Sequence, residues 1–355
     1  MGDAAHDELT AAWDRFVAGL GAMGRQLLDD APNEADRADA LRFLLRQLAY
    51  REEQFIEFPR GTKPEFFDPE SPTRKIFADC PDTVYRQFSV VPDATYRVWG
   101  RLGDAPYVSF TAYRAAVSDR VVDDLHDGEI AVGDDGSFEL LVGGSAGSGQ
   151  RLELGDDAAF VVVREYCHDR VGGRPGEFHV EQLDPLPEHR PEPTESTIAA
   201  ALTFMELGLS FANDATMRLA HALRERPNVM SEAAGELVSE MAGTPHNHYQ
   251  LCSVVLDPGP ALRLELDPPE ARYWSVHLNN HWLESPEFRD GQSVCINDAQ
   301  AERHADGTIT MLVGPDDPGG GNWLDTKGRR ETILLARYLL PAGPLNPITT
   351  TVVSV

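Results

Sequence analysis

Apolar side chains recur at helical spacing through the first sixty residues. Leu9, Trp13, Phe16, Leu20, Met23 and Leu27 fall three or four positions apart, one stripe of a 3.6-residue helix, which predicts a helix over residues 7–29. Pro32-Asn33 interrupts the stripe. A second helix is predicted over 34–57, with Leu41, Leu44, Leu45 and Leu48 facing inward. The Pro-, Phe- and Asp-rich stretch from Gly61 to Pro72 predicts a loop. From 84 to 183 the period falls to two, as in Tyr96-Arg97-Val98-Trp99 and Phe160-Val161-Val162-Val163, with turns at Gly103-Asp104, Asp127-Gly128 and Asp135-Gly136. Short strands at such intervals predict an antiparallel sandwich or jelly roll. Four prolines between Leu183 and Pro193 exclude helix and central strand, so this stretch reads as a linker. Helical spacing returns over 195–225 and 231–242, and strand patterning resumes after Pro245.

The two β-rich stretches resemble each other. Cys80-Pro-Asp-Thr-Val-Tyr85 through Ser89-Val-Val91 aligns with Thr244-Pro-His-Asn-His-Tyr249 through Ser253-Val-Val255. Tyr107–Tyr113 aligns with Tyr273–Asn279, Phe138–Gly143 with Ile309–Gly314, and Arg164 with Arg337, Tyr166 being placed against Tyr338 across a small gap. The expected fold is therefore α+β: two repeated antiparallel β-sandwich, jelly-roll-like halves, each with a helical lead-in. The expected division is a helical segment at 1–58, a first half at 59–190, and a second lead-in and half at 191–355. The same alignment places Gly143–Gly149 and Asp316–Gly321 at matching points as Gly-rich strand connections. Neither carries the Gly-Lys-Ser/Thr ending of a phosphate loop.

Charge narrows the partners. With 58 Asp+Glu against 31 Lys+Arg, the formal charge of −27 repels phosphate backbones and anionic membrane surfaces. Four cysteines without a CxxC pair exclude zinc-ribbon and thioredoxin motifs and suit a reducing compartment. The acidic start lacks a signal-peptide pattern, and no apolar run reaches membrane-spanning length. The expectation is a cytoplasmic protein whose partner is a small molecule, without nucleic acid or membrane, and open to homo-oligomerisation.

Arg74-Lys75, Asp79-Cys80-Pro81-Asp82, Pro92-Asp93-Ala94-Thr95-Tyr96-Arg97-Val98 and the block Asp316–Gly319 with Asn322-Trp323-Leu324-Asp325-Thr326 resemble the domain-of-unknown-function 1214 family, which is often joined to domain of unknown function 1254. The resemblance covers most of residues 70–355. It implies jelly-roll-like sandwiches with added helices and carries no agreed reaction. Cys80 stands where that family usually has Asn.

Candidate chemistry concentrates in the second half. His246, His248, His277, His281 and His304 fall there, whereas Asp82, Val84 and Thr111 occupy the positions matching His246, His248 and His277. His246 and His248, one residue apart, lie about 7 Å apart on one side of an extended chain and could together ligate a metal, or simply sit at the surface. Ser275, His277 and Asn279 share one face of a strand whose other face is Trp274, Val276 and Leu278, so the polar row lines solvent or a pocket. His277, Asn279 and His281 are the candidate catalytic residues, His277 being suited to acid/base work or to a structural hydrogen bond. Four strand residues separate His277 from His281 by about 13 Å, so they share a metal only if the chain turns between them. Tyr249, Trp274, Asn322 and Trp323 are the candidate substrate contacts, Trp323 suiting either a ligand rim or a core anchor. Asp82, Tyr85 and Arg86 form the matching polar cluster of the first half. No nucleotide-cofactor motif is present, and a divalent metal is the one cofactor class these residues suggest. The expected function is an enzyme acting on a small organic molecule through these histidines. The alternatives are a non-catalytic small-molecule or glycan-binding protein and an oligomeric structural protein.

Overall fold

In a computed structural model that describes residues 2–115, 120–144, 149–286 and 291–354, the period-two stretches become sixteen strands in four four-stranded sheets. The first half contains β1 (Thr83–Ser89), β2 (Thr95–Arg101), β3 (Tyr107–Arg114), β4 (Val121–His126), β5 (Ser137–Gly143), β6 (Arg151–Leu152), β7 (Ala158–Tyr166) and β8 (Glu177–Gln182). The second contains β9 (Asn247–Val255), β10 (Pro260–Leu266), β11 (Tyr273–Asn279), β12 (Cys295–Asn297), β13 (Ile309–Gly314), β14 (Asn322–Asp325), β15 (Glu331–Leu339) and β16 (Thr349–Ser354).

The halves repeat strand for strand. Sheet order β1-β7-β3-β4 is matched by β9-β15-β11-β12, and β6-β5-β2-β8 by β14-β13-β10-β16. Even the parallel pairs recur, β5 with β6 and β13 with β14, each bordering the turns that the Gly-rich connections serve. Residues 145–148 of the first connection lie outside the described residues. One detail of the alignment is corrected. Tyr107 pairs with Tyr166, and Tyr273 with Leu339, so Tyr166 matches Leu339 without a gap.

Each half has its own core, because alternation sends every second side chain between its two sheets. Val98, Phe110, Leu140 and Val163 fill the first, and Leu264, Trp274, Val276 and Leu334 the second. The helices are α1 (Gly2–Asp30), α2 (Glu34–Glu52, continued by a π turn over Glu53–Glu57), α3 (Glu195–Arg224) and α4 (Glu232–Ala242). Asn33 caps α2 by accepting from Asp36 N at 3.1 Å, and Thr194 with Thr197 forms the capping box of α3. Phe16, Leu27, Phe43, Leu202 and Leu209 pack α1, α2 and α3 into one cluster with Trp282. The predicted stripes are partly displaced: Trp13, Leu41 and Leu45 are exposed. With α3 long enough to cover one side of both helices, Phe16, Phe43 and Leu44 suffice for the contact.

The lead-ins are not copies of one another. The bridges Phe67–Gln87 and Ser231–Leu251 occupy the same place in the two halves. In that register α3 corresponds to α2 with its π turn, α1 is extra, and the place of α4 is taken in the first half by the irregular residues 68–78. No helix among the described residues is long and apolar enough to cross a membrane.

Candidate functional site

The sheets β1-β7-β3-β4 and β12-β11-β15-β9 turn their inner faces to the two cores. Their other faces carry Tyr, Arg, Ser, His and Asn, and these are buried where the halves meet. Ser275, His277 and Asn279 are all fully buried, so the polar row of β11 lines an enclosed seam and not solvent. Tyr107, Tyr166, Tyr273 and Leu339 form the apolar centre of that seam.

On one side of it, the turn Asp79-Cys80-Pro81-Asp82 enters from the first half. Ala78, just before it, holds the left-handed region at φ 51°, and its N–H donates to the carbonyl of Leu283, itself at φ 59°. Non-glycine residues keep this conformation only where surrounding contacts enforce it. The turn places Cys80 Sγ 3.9 Å from Tyr273 Oη and 3.9 Å from Ser275 Oγ. Ligand atoms of Cys80, His277 and Cys295 lie within 4.8 Å of one another. Asp82 Oδ2 accepts from Asn297 Nδ2 at 2.8 Å, Tyr273 Oη at 2.9 Å and Cys295 Sγ at 3.3 Å. Arg337, 2% exposed, donates to the carbonyl of Ala78 at 3.1 Å and lies 3.4 Å from His277 Nε2.

Electrostatics follows from this burial. Arg337 has no carboxylate partner among the described residues; the acidic group it faces is the Cys80 thiol. Burial alone would raise the Cys80 thiol, but a hydrogen bond from Cys295 and the Arg337 charge hold it well below the ordinary thiol range. Burial, reinforced by Cys80, pushes Cys295 well above it. Asp82 is raised to about 7, by burial first and by Cys80 second. His277 is lowered to about 3 by burial, so its ring is neutral at pH 7. Its Nδ1 is buried without a hydrogen-bond partner.

The seam is reciprocal. Strand register matches Asp82, Cys295, Asn297 and Tyr273 with His246, Asp124, His126 and Tyr107. As Asp82 reaches across to Tyr273 and Asn297, so His246 reaches back: its Nε2 is 3.5 Å from Asp124, and its ring lies edge-on to His126 at 5.2 Å. His126, Glu129 and His246 also converge within 4.8 Å. Here the ring nitrogens of His126 are engaged, Nδ1 accepting from Gly128 N at 3.0 Å and Nε2 facing Glu129 at 3.5 Å. A cation would have to displace those contacts.

The residues singled out from sequence scatter across these places. His277, Asn279 and Tyr249 line the seam. His281 does not join them: the chain turns after β11, and its ring packs edge-on to Trp282 with Nε2 3.8 Å from Asp30 of α1. His246 and His248 part company as well. His246 precedes β9 and faces the first half, whereas His248 is exposed on the strand, so no shared ligation by these two is built. Trp274 is buried in the second core under the Arg303 guanidinium. Asn322 stitches loop to strand through Glu302 and Thr310, and Trp323 donates to the carbonyl of Gly314 at 3.1 Å. Both sit on the sheet remote from the seam, as strand anchors. The reading from sequence missed Cys80, Cys295 and Arg337. The two cysteines are far apart in the chain, and the one available signal was that Cys80 falls inside the Asp79–Asp82 motif.

Residues 255–343 match the family model described as a protein of unknown function, DUF1214. No curated protein matches the chain. The structure is similar to the crystal structure of an uncharacterised protein from Burkholderia cenocepacia, at 28% identity and a TM-score of 0.92 with 99% of each chain covered. It shares its fold more loosely with the VPA0106 protein from Vibrio parahaemolyticus, at 10% identity and a TM-score of 0.52 over 92% of this chain and 100% of that one. Over residues 255–343, which hold β11, β12 and the Asn322-Trp323-Leu324 block, the resemblance to the domain-of-unknown-function 1214 family is thus shown.

Proposed function

We propose that this chain is an enzyme acting on a small organic molecule through a soft divalent metal ion held by Cys80, His277 and Cys295. The observation that carries the reading is the convergence of two thiols and one imidazole within 4.8 Å at the seam. Two thiolates with a neutral imidazole are the donor set of choice for zinc and other borderline ions, and three protein ligands leave a coordination position open. His277 suits ligation better than proton transfer, because burial keeps it unprotonated at neutral pH. Proton transfer falls instead to Asp82, whose carboxylate stands beside Cys295 and accepts from Tyr273 Oη. A dication with Arg337 would balance the two thiolates and the Asp82 carboxylate, so the buried cluster carries no net charge when loaded. Of the three ligands Cys295 alone is partly exposed, which makes its side the way in. Free thiols in this role suit a reducing compartment.

The test is metal content after anaerobic purification, with cobalt substitution. The expected result is one tightly held ion per chain and thiolate-to-cobalt charge-transfer bands, both lost in Cys80→Ser and Cys295→Ser. A folded wild-type chain that retains no ion and gives no such bands contradicts the proposal. A second reading is favoured by the same sulfur pair and the Arg337 charge: Cys80 and Cys295 act as a redox dithiol. It predicts a Cys80–Cys295 disulfide on mild oxidation of metal-free protein.

A further inference from the structure

The face of the first half that carries Arg164 also borders a cavity of about 90 Å³ between β1, β7 and the helices, open on one side, room for about three waters at about 30 Å³ each. Three guanidiniums enter it, those of Arg51 from α2, Arg120 from the approach to β4, and Arg164 from β7. Arg51 and Arg164 are each 8% exposed. No Asp or Glu lines the cavity. Among the described residues none of the three forms an ion pair, in a chain with 58 acidic residues. Arg51 donates to Gln54 Oε1 at 2.7 Å and lies 3.5 Å from the carbonyl of Gly208, leaving its Nε unpartnered. The Arg120 side chain makes no hydrogen bond among the described residues, its Nε being buried without a partner; its guanidinium stands over Phe211 at 5.2 Å and Phe160 at 5.7 Å. Arg164 donates to Thr111 Oγ1 at 3.1 Å and Tyr113 Oη at 2.8 Å. Asp124, a carboxylate that feels the Arg164 charge, is hydrogen-bonded to that same Thr111 and does not line the cavity. Buried like charges without a counter-ion are strongly unfavourable, so such a cluster calls for an anion.

The duplication shows that this space is particular to one copy. Tyr85, Gln87, Val162 and Arg164 match Tyr249, Leu251, Leu335 and Arg337. In the second half that face is covered by Ala234, Leu237 and Val238 of α4 and by Leu219 and Leu223 of α3. In the first half the irregular segment supplies Pro69, Ile76 and Phe77 instead, and the space stays open.

We infer that this cavity binds a small organic acid, its carboxylate or phosphate held by Arg51, Arg120 and Arg164 and its apolar body against Phe160, Phe211 and Tyr85. Guanidiniums match planar and tetrahedral oxyanions by paired hydrogen bonds, and the aromatic walls exclude inorganic anions as the best fit. The inference stands independently of the metal centre, although Tyr85 touches both: its ring lines the cavity, and its hydroxyl accepts from Cys80 N at 3.2 Å.

The experiment measures thermal shift and calorimetric binding with benzoate, phenyl phosphate, inorganic phosphate and benzamide. The expected result is saturable stabilisation by benzoate or phenyl phosphate, whichever is preferred naming the head group, with inorganic phosphate and neutral benzamide at least about tenfold weaker. Arg120→Met should lose the organic acid by at least about tenfold while the ligand-free protein melts no lower than wild type, since a half-buried charge without an ion-pair partner has been removed. Arg120→Lys should keep part of the affinity. Benzamide binding as well as benzoate, no shift with either acid at about 10 mM, or an Arg120→Met chain that melts lower without ligand would each overturn the inference, the last by marking the guanidinium as structural.

Discussion

His277 and His281 are histidines that do not titrate where histidines ordinarily do. Burial lowers His281 to about 4 and His277 to about 3, while in the unfolded chain each takes a proton near pH 6.5. Between those values the unfolded state alone binds the proton, so stability is present above pH 6.5 and lost as pH falls toward the folded values. For His281 the loss is about 3 kcal/mol. His281→Gln should flatten that acid limb in denaturant midpoints measured from pH 7 to 4; an unchanged limb would show that the ring is protonated in the folded state. Asp82 works in the opposite sense. In the metal-free protein its raised carboxyl keeps a proton up to about pH 7 that the unfolded chain releases near pH 4, so the stability of that form falls as pH rises across that window, and Asp82→Asn should remove the fall. That His277 belongs to a polar row was legible from alternation along β11; that the row is buried was not. That Cys80 and Cys295 stand beside it was not, because only the packing of one half on the other joins them. The arginines were hidden for the same reason: on a sequence an unpaired arginine looks like any surface charge.

At the scale of elements, helix boundaries were readable because caps, prolines and periods agreed at each end, whereas the strands were readable only as period-two stretches. The repeat also foretold that the two halves share one architecture; the order of strands in each sheet came only with the structure. What it could not foretell is where the copies differ. The place of α4 is filled by an irregular segment in the first half, and nothing in the period of residues 68–78 indicates that a cavity results. The fit of α4 on β9 depends on Gly235, where a Cβ would meet the carbonyl oxygen of Tyr249 at 2.0 Å and the backbone cannot yield. A glycine within a helix is normally improved by alanine, by about 1 kcal/mol. Here Gly235→Ala should destabilise by about 1–3 kcal/mol through overpacking, measured by urea unfolding. A stabilised variant would mean that α4 is free to shift.

For the whole molecule, the seam makes the two sandwiches one unit. Tyr166 stacks edge-on with Tyr107 at 5.7 Å, lies 5.5 Å from Tyr273, and accepts from Asn247 Nδ2 at 3.0 Å. Calorimetry should therefore show one transition with equal calorimetric and van't Hoff enthalpies. Tyr166→Ala should cost about 3–5 kcal/mol and separate the melting of the halves; two transitions already in the wild type would show that the seam couples them weakly. The same seam encloses the proposed metal ligands, contributed by Cys80 of one half and by His277 and Cys295 of the other. The most direct test is a crystal of the anaerobically purified protein measured at a metal absorption edge. The account predicts a single anomalous peak bonded to Cys80, His277 and Cys295; a peak elsewhere, or none with the two sulfurs and the imidazole free, would contradict it.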